Sequence, residues 1–84
     1  MTKIKICGIT NLEDAAYCVE LRADYLGFIF YNKSPRKINR AHAKSIVSAV
    51  NKNKIRTRFV GVFVNEEIEN LVKIIKQCNV DLIQ

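Results

Sequence analysis

Cys7 is the residue of this sequence with the greatest chemical potential. It ends the segment 3–7, in which polar and apolar residues alternate as in a short β-strand. Reacting groups in parallel α/β folds lie at the carboxyl ends of strands. If Ile4 and Ile6 pack against helices, Cys7 and Lys5 share the opposite face, where the ammonium favours the thiolate that a general base requires. On residue statistics alone, a cysteine that packs as a small hydrophobic residue is the commoner case.

Arg36 is the second candidate. It lies in a polar segment, Asn32 to Asn39, that follows an apolar segment typical of a buried strand. A guanidinium on the catalytic face of a barrel is suited to bind a carboxylate through two parallel hydrogen bonds. Taken alone, an arginine in a basic loop is more often a solvated charge.

The remaining chemically capable residues form no recognisable catalytic set. Cys18, Cys78 and His42 fall within predicted helices, where packing or surface positions are expected. The sequence has no serine–histidine–aspartate set, no phosphate-binding glycine loop and no metal-ligand spacing. An odd number of cysteines excludes a fully paired disulfide framework, and neither a signal peptide nor a membrane-length apolar run is found. A cytoplasmic location with reduced thiols is therefore expected.

Three strand–helix units and a fourth strand are predicted to position these residues. The strand-like segments are Lys3–Cys7, Tyr25–Phe30, Arg58–Val64 and Val80–Gln84. Between them, apolar residues recur at helical spacing: Leu12, Ala15, Ala16 and Val19; Ala43, Ile46, Val47 and Val50; and Ile68, Leu71, Val72 and Ile75.

The predicted helix ends carry their own signals. Thr10 and Glu13 have the spacing of a capping box, Asn65 is a candidate cap of the third helix, and Asn79 is expected to close it. Asn51–Lys54 is short and charged, and is interpreted as a connection within one domain.

These elements predict a parallel α/β sheet. A dinucleotide-binding fold is disfavoured because no G-x-G-x-x-G follows the first strand, whereas a flavodoxin-like sheet remains open. The other solution is part of a (β/α)₈ barrel, which normally needs about 250 residues, more than the 84 of this chain. A last strand without a covering helix favours the partial barrel.

Four strings resemble the phosphoribosylanthranilate isomerase family, in the family's order along the whole chain. Lys5-Ile6-Cys7-Gly8-Ile9-Thr10 resembles its opening signature, and Gly27-Phe28-Ile29-Phe30 with Ser34-Pro35-Arg36 resembles its second strand and loop. Val60-Gly61-Val62-Phe63-Val64-Asn65 resembles its third strand, and Asp81-Leu82-Ile83-Gln84 the start of its fourth. The resemblance implies that residues 1–84 are the N-terminal portion of a single (β/α)₈ barrel, truncated within or just after the fourth strand.

The resemblance also implies a reaction. The family consists of intramolecular oxidoreductases of tryptophan biosynthesis. They convert N-(5-phosphoribosyl)anthranilate to 1-(2-carboxyphenylamino)-1-deoxyribulose 5-phosphate by an Amadori rearrangement without a cofactor. Cys7 matches the family's general base, and Arg36 matches an arginine that contacts substrate, with the anthranilate carboxylate as its natural partner. The implied partners are a small phosphorylated substrate and the missing C-terminal half of the barrel; no metal, nucleic acid or membrane is expected.

Other functional positions of the family have no counterpart in this sequence. The family's general acid is an aspartate on a later strand, and its phosphate site lies near the end of the barrel. Asp14 and Asp81 do not occupy the acid's position, and Lys37 stands where many members have an aromatic residue. The isolated chain is therefore expected to be inactive.

The charge of the chain keeps two alternatives open. The formal net charge is +6, and the segment from Lys33 to Arg58 is markedly basic. A small basic module that binds nucleic acid would use this segment, although no exposed aromatic pattern accompanies it. Another phosphosugar barrel enzyme with related loops is the second alternative. Surface charge that serves only solubility is the commonest reason for such a segment.

Overall fold

In the residues that a computed structural model describes, 3–50 and 55–84, four parallel strands alternate with three helices. The strands form one sheet in the order β1-β2-β3-β4. They are β1 (Lys5–Cys7), β2 (Tyr25–Ile29), β3 (Arg58–Val62) and β4 (Leu82–Ile83). The helices are α1 (Leu12–Glu20), α2 (Arg40–Ala49) and α3 (Ile68–Cys78). The predicted order is confirmed with slightly shorter strands, and the connection expected at Asn51–Lys54 lies outside the described residues.

The sequential strand order places the helices on one face of the sheet, because β-α-β connections between parallel strands are right-handed. Phe28 of β2 and Phe59 of β3 stack with ring centroids 5.5 Å apart at the centre of the buried face. The cluster around them includes residues of every helix: Ala15, Cys18, Ala43, Ile46, Val47, Ile74 and Cys78. The other face of the sheet is left for the alternate residues of each strand.

The N-terminus of α1 differs by one residue from its prediction. The Asn11 side-chain oxygen accepts a hydrogen bond from the Asp14 backbone N–H at 2.8 Å, and the Asn11 amide donates to the Asp14 carboxylate at 3.0 Å. The reciprocal cap expected at Thr10 and Glu13 was therefore wrong by one position. Both pairs have the required spacing, and asparagine caps a helix at least as well as threonine.

Of the two predicted ends of α3, the first is wrong and the second is confirmed. Its N-cap is Glu67, which makes no side-chain capping bond, so the prediction of Asn65 was wrong. Asn65 instead adopts a positive φ of 52°, a conformation that asparagine tolerates better than most residues. Asn79 ends the helix in the left-handed conformation, as expected.

Two of the predicted helix faces needed correction. In α3, Ile74 and Cys78 are buried, whereas Ile68 is 77% exposed and Val72 also faces solvent. In α1, Cys18 joins Ala15 in the core, whereas the predicted core positions Leu12 and Ala16 are exposed. The face predicted for α2 is confirmed. Short helices with apolar residues on adjoining faces admit more than one stripe, and docking on the sheet selects between them.

Candidate active site

Cys7 is the last residue of β1 and is half-buried. It lies in register with Gly27 of β2. A Cβ atom placed on Gly27 would come within 2.9 Å of Cys7 Sγ. The thiol therefore rests directly against the backbone of the neighbouring strand. It does so at the carboxyl end of the sheet, where the sequence predicted it.

The turn after β1 is fixed by a single carbonyl group. The backbone N–H groups of Gly8 and Ile9 both donate to the carbonyl oxygen of Gly27, at 3.0 and 3.1 Å. Gly8 adopts a φ of +87°, a region that residues with a side chain rarely enter. The end of β1 is thereby held against β2.

The loop that carries Arg36 is folded back onto β2. The Ile38 backbone N–H donates to the Ile29 carbonyl at 2.9 Å, and the Ile38 side chain is buried in the core. Within the loop, the Arg36 backbone N–H donates to Ser34 Oγ at 3.2 Å. These bonds direct the arginine toward the end of β1.

The Arg36 side chain crosses the turn after β1. Its Nη1 donates to the Cys7 carbonyl oxygen at 3.4 Å, across 29 positions of sequence. Its Cδ, Nε and Cζ atoms lie 3.0 to 3.1 Å from the point that a Cβ on Gly8 would occupy. The structure thus brings together the two residues proposed from the sequence. A guanidinium has five N–H donors, so the bond to Cys7 leaves others for a ligand.

The surroundings of β1 agree only partly with expectation. Lys5 shares the strand face of Cys7. In the register of the sheet it lies beside Tyr25 of β2, which lies beside Arg58 of β3. Ile6 packs against the core, but Ile4 is 55% exposed, so the expectation that both isoleucines contact helices was wrong for Ile4. Ile4 precedes the first residue of β1.

The other titratable candidates lie away from this site or have structural roles. Burial raises the pKa of the Cys18 thiol, and the Asp14 carboxylate adds to the rise. Burial also raises the pKa of the Cys78 thiol, which donates to the Arg40 carbonyl at 3.3 Å. His42 is exposed on α2. Of the packing or surface positions expected for the two cysteines, the structure shows packing for both, and the surface position expected of the histidine is confirmed.

Within 3–50 and 55–84, no group of three or more histidine, cysteine, aspartate or glutamate side chains could hold a metal ion. Within the same residues, every helix is too short or too polar to cross a membrane.

The two glycines next to the candidate residues were missed by sequence reasoning. Both were named as parts of the family-like strings, with no role of their own in the site. Their contacts with Arg36 and Cys7 are long-range and leave no local pattern. The presence of both glycines within the family-like strings was the available signal.

Parallel strands with helices on one face, and a cysteine whose carbonyl accepts a hydrogen bond from an arginine at the strand ends, are an arrangement typical of α/β enzymes, whose reacting groups lie at this end of the sheet. Comparison with known proteins identifies the family of the chain. The family model for N-(5'-phosphoribosyl)anthranilate (PRA) isomerase matches residues 4–84. The chain belongs to the phosphoribosylanthranilate isomerase family.

Individual relatives agree with this assignment. N-(5'-phosphoribosyl)anthranilate isomerase of Thermoanaerobacter sp. (strain X514) is 46% identical over the whole chain, which spans 39% of that protein. The crystal structure of phosphoribosyl anthranilate isomerase from Thermotoga maritima superposes with a TM-score of 0.93 at 43% identity, over all of this chain and 40% of that one. A complex of such an isomerase with reduced 1-(o-carboxyphenylamino)-1-deoxyribulose 5-phosphate also gives 0.93 at 43% identity, over 100% of this chain and 42% of that one.

The chain thus spans about two fifths of the length of the relatives that it matches. The structural matches confirm the fold as part of a (β/α)₈ barrel and exclude the flavodoxin-like alternative. The family match places the chain among the isomerases rather than in a family of nucleic-acid-binding modules or of other phosphosugar enzymes.

Proposed function

We propose that this chain supplies the first part of the active site of a phosphoribosylanthranilate isomerase, with Cys7 as general base and Arg36 as a substrate-binding residue. The observation that carries the proposal is the contact between Arg36 Nη1 and the Cys7 carbonyl. It joins two loops at the carboxyl end of the sheet in a chain that matches the isomerase family over residues 4–84.

The proposed reaction is an aldose–ketose isomerisation of the intramolecular oxidoreductase type, by which N-(5-phosphoribosyl)anthranilate undergoes the Amadori rearrangement. A general acid protonates the furanose ring oxygen, and the ring opens to a Schiff base. A base then removes the proton from C2, and the resulting enolamine tautomerises to the ketone. The Cys7 thiolate is suited to the proton abstraction, because it lies at the strand end and is half-buried rather than sealed in the core.

Arg36 is proposed to bind the carboxylate of the anthranilate group. Its side chain is exposed, and its guanidinium is anchored at one nitrogen by the Cys7 carbonyl. Because the remaining donors are charged and nearly coplanar, they can form paired hydrogen bonds with a carboxylate. Substrate bound in this way would lie next to the thiol.

Residues 1–84 are further proposed to be the N-terminal portion of one barrel, completed by a C-terminal part that supplies the acid and the phosphate site. The chain's coverage of about two fifths of its relatives supports this arrangement. We therefore expect no turnover by the chain alone. Its three free thiols suit the reducing environment of the cytoplasm, which is the proposed location.

A chimeric barrel tests the proposal. Residues 1–84 would replace the aligned segment of the Thermotoga maritima isomerase, to which they are 43% identical. Product formation from N-(5-phosphoribosyl)anthranilate, measured by chromatography, is expected from the chimera but not from the chain alone. A folded chimera without turnover would contradict the proposal, and turnover by the purified chain alone would contradict the need for a completing part.

A further inference from the structure

We propose that Gly8 and Gly27 are positioning residues. Because they have no side chain, they leave room for the Arg36 guanidinium and the Cys7 thiol at the observed positions. The inference rests on the proposed roles of Cys7 and Arg36. We refer to Gly8 and Gly27 as the glycine pair.

Gly8 provides the surface on which Arg36 lies. Three consecutive atoms of the Arg36 side chain, Cδ, Nε and Cζ, approach the point that a Cβ would occupy to within 3.0 to 3.1 Å. A Cβ at this distance is tighter than an ordinary contact, so the distal part of the Arg36 side chain would have to move by a few tenths of an ångström. The bond from Arg36 Nη1 to the Cys7 carbonyl is already 3.4 Å long and would be lost by such a movement.

Gly27 determines the position of the Cys7 thiol. A Cβ on Gly27 would lie 2.9 Å from Cys7 Sγ and 3.3 Å from Cys7 Cα, so the thiol would have to turn away from β2. The Gly27 carbonyl also accepts the N–H groups of Gly8 and Ile9. The same residue therefore positions the thiol through its missing side chain and the turn through its backbone.

The positive φ of Gly8 is a separate requirement from the contact with Arg36. At φ +87°, glycine has no steric penalty, and asparagine is the residue with a side chain that best tolerates positive φ. Gly8→Asn therefore introduces less backbone strain than Gly8→Ala, while both variants introduce the same colliding Cβ. Comparison of Gly8→Ala with Gly8→Asn separates strain from displacement of the arginine.

The test measures alkylation of Cys7 in the 84-residue chain, with peptide mapping to separate it from Cys18 and Cys78. Iodoacetate is an anion and iodoacetamide is neutral, so the ratio of their rates reports the positive charge near the thiol. In a water-like dielectric, a guanidinium a few ångströms away changes this ratio by about threefold. We expect Arg36→Ala to lower the ratio by about this factor, and Gly8→Ala and Gly8→Asn to lower it in the same direction, because the guanidinium is released from the Cys7 carbonyl.

A double variant shows whether Gly8 acts through Arg36. Gly8→Ala combined with Arg36→Ala is expected to have the ratio of Arg36→Ala alone, because the two changes remove the same interaction. If Gly8→Asn does not fold, Arg36→Ala should restore its folding, measured by far-ultraviolet circular dichroism, since asparagine tolerates the positive φ and Arg36→Ala removes the colliding atoms. An unchanged ratio in a folded Gly8 variant, or no restoration of Gly8→Asn by Arg36→Ala, would overturn the role of Gly8.

Gly27→Ala has a different expected result. Because the thiol turns away from β2, alkylation of Cys7 should become at least threefold faster with iodoacetamide. The same rate in the folded variant as in the parent chain would overturn the role of Gly27. If Gly27→Ala does not fold, Cys7→Ala should restore folding by removing Sγ. Absence of restoration would also overturn the role of Gly27.

Alkylation requires no turnover, so it is independent of the proposed function. A chimera without isomerase activity would refute the proposed function but leave the glycine pair's effect on the thiol measurable. In an active chimera, Gly8→Ala should raise KM as Arg36→Ala does, with little change in kcat. A fall in kcat alone would contradict action through the substrate-binding arginine.

Discussion

The carboxylate of Asp81 accepts a hydrogen bond from the backbone N–H of Phe59 at 2.8 Å, and the backbone N–H of Asp81 donates to the Phe59 carbonyl at 2.9 Å. Asp24 and Ile4 form the same reciprocal pair, at 2.7 and 2.9 Å. Each aspartate directly precedes a strand, β4 or β2, and joins its beginning to the preceding strand. Asp81 therefore has a structural role at the opposite end of the strands from Cys7 and Arg36.

Asp81→Ala removes the carboxylate half of this pair. We expect the free energy of unfolding to fall by about 1–3 kcal/mol, because a backbone N–H loses a charged acceptor. Urea denaturation of the chain measures the change. Asp81→Asn, which keeps an oxygen acceptor without the charge, should lose less, and equal stability of Asp81→Ala and the parent would show that the carboxylate bond contributes nothing.

Asn11→Ala tests the corrected cap of α1. Loss of the capping oxygen should lower the free energy of unfolding by about 1 kcal/mol. Thr10→Ala is the matched control, because the structure assigns the cap to the next residue. A larger loss with Thr10→Ala than with Asn11→Ala, measured by thermal denaturation, would restore the cap that was predicted from the sequence.

Ile74→Ala and Ile68→Ala test the corrected face of α3. Ile74 is 7% exposed and Ile68 77% exposed, in the same helix. Truncation of a buried isoleucine costs about 2–5 kcal/mol, whereas a surface substitution usually changes stability by less than about 0.5 kcal/mol. Equal losses for the two variants in urea denaturation would contradict the observed orientation of α3.

Cys78 is expected to make the chain less stable in alkaline solution. Burial raises the pKa of its thiol in the folded chain, whereas in the unfolded chain a thiol ionises near pH 8.5. The unfolded state therefore loses its proton first, and the free energy of unfolding falls as pH rises above about 8.5. Urea denaturation at pH 7 and pH 10 should show a smaller decrease for Cys78→Ala than for the parent. A decrease of the same size in both would assign the effect to other groups.

Cys7 and Arg36 are expected to affect different kinetic constants of the active chimera. Cys7→Ser should lower kcat by about 10²–10⁴-fold, because general base catalysis typically contributes that factor. Arg36→Gln should chiefly raise KM, by about tenfold, as expected for one lost charge-assisted hydrogen bond. His42→Ala is the control, since this residue is exposed on α2 outside the site. A Cys7→Ser variant with unchanged kcat would exclude Cys7 as the base.

Local periodicity accounts for what could be predicted of the fold. Alternation marked β1 and placed Cys7 at its end, and helical spacing marked all three helices. The family-like strings added the partial barrel and singled out Cys7 and Arg36. The errors also concerned local features. Thr10 was predicted as the cap of α1 in place of Asn11, and Ile68 was predicted on the buried face of α3 in place of Ile74. In each case, more than one candidate residue satisfied the same short-range rule.

The sequence by itself determined the order of the strands and helices, the turn residue after β1 and the chemical nature of the two candidate side chains. Tertiary structure alone decided that Arg36 lies across Gly8 and donates to the Cys7 carbonyl, 29 positions away. It also decided which face of α3 is buried. The physical reason is range: backbone dihedrals and side-chain spacing act over a few residues, whereas the contact of Arg36 with Gly8 exists only after β1 and β2 pair in their observed register.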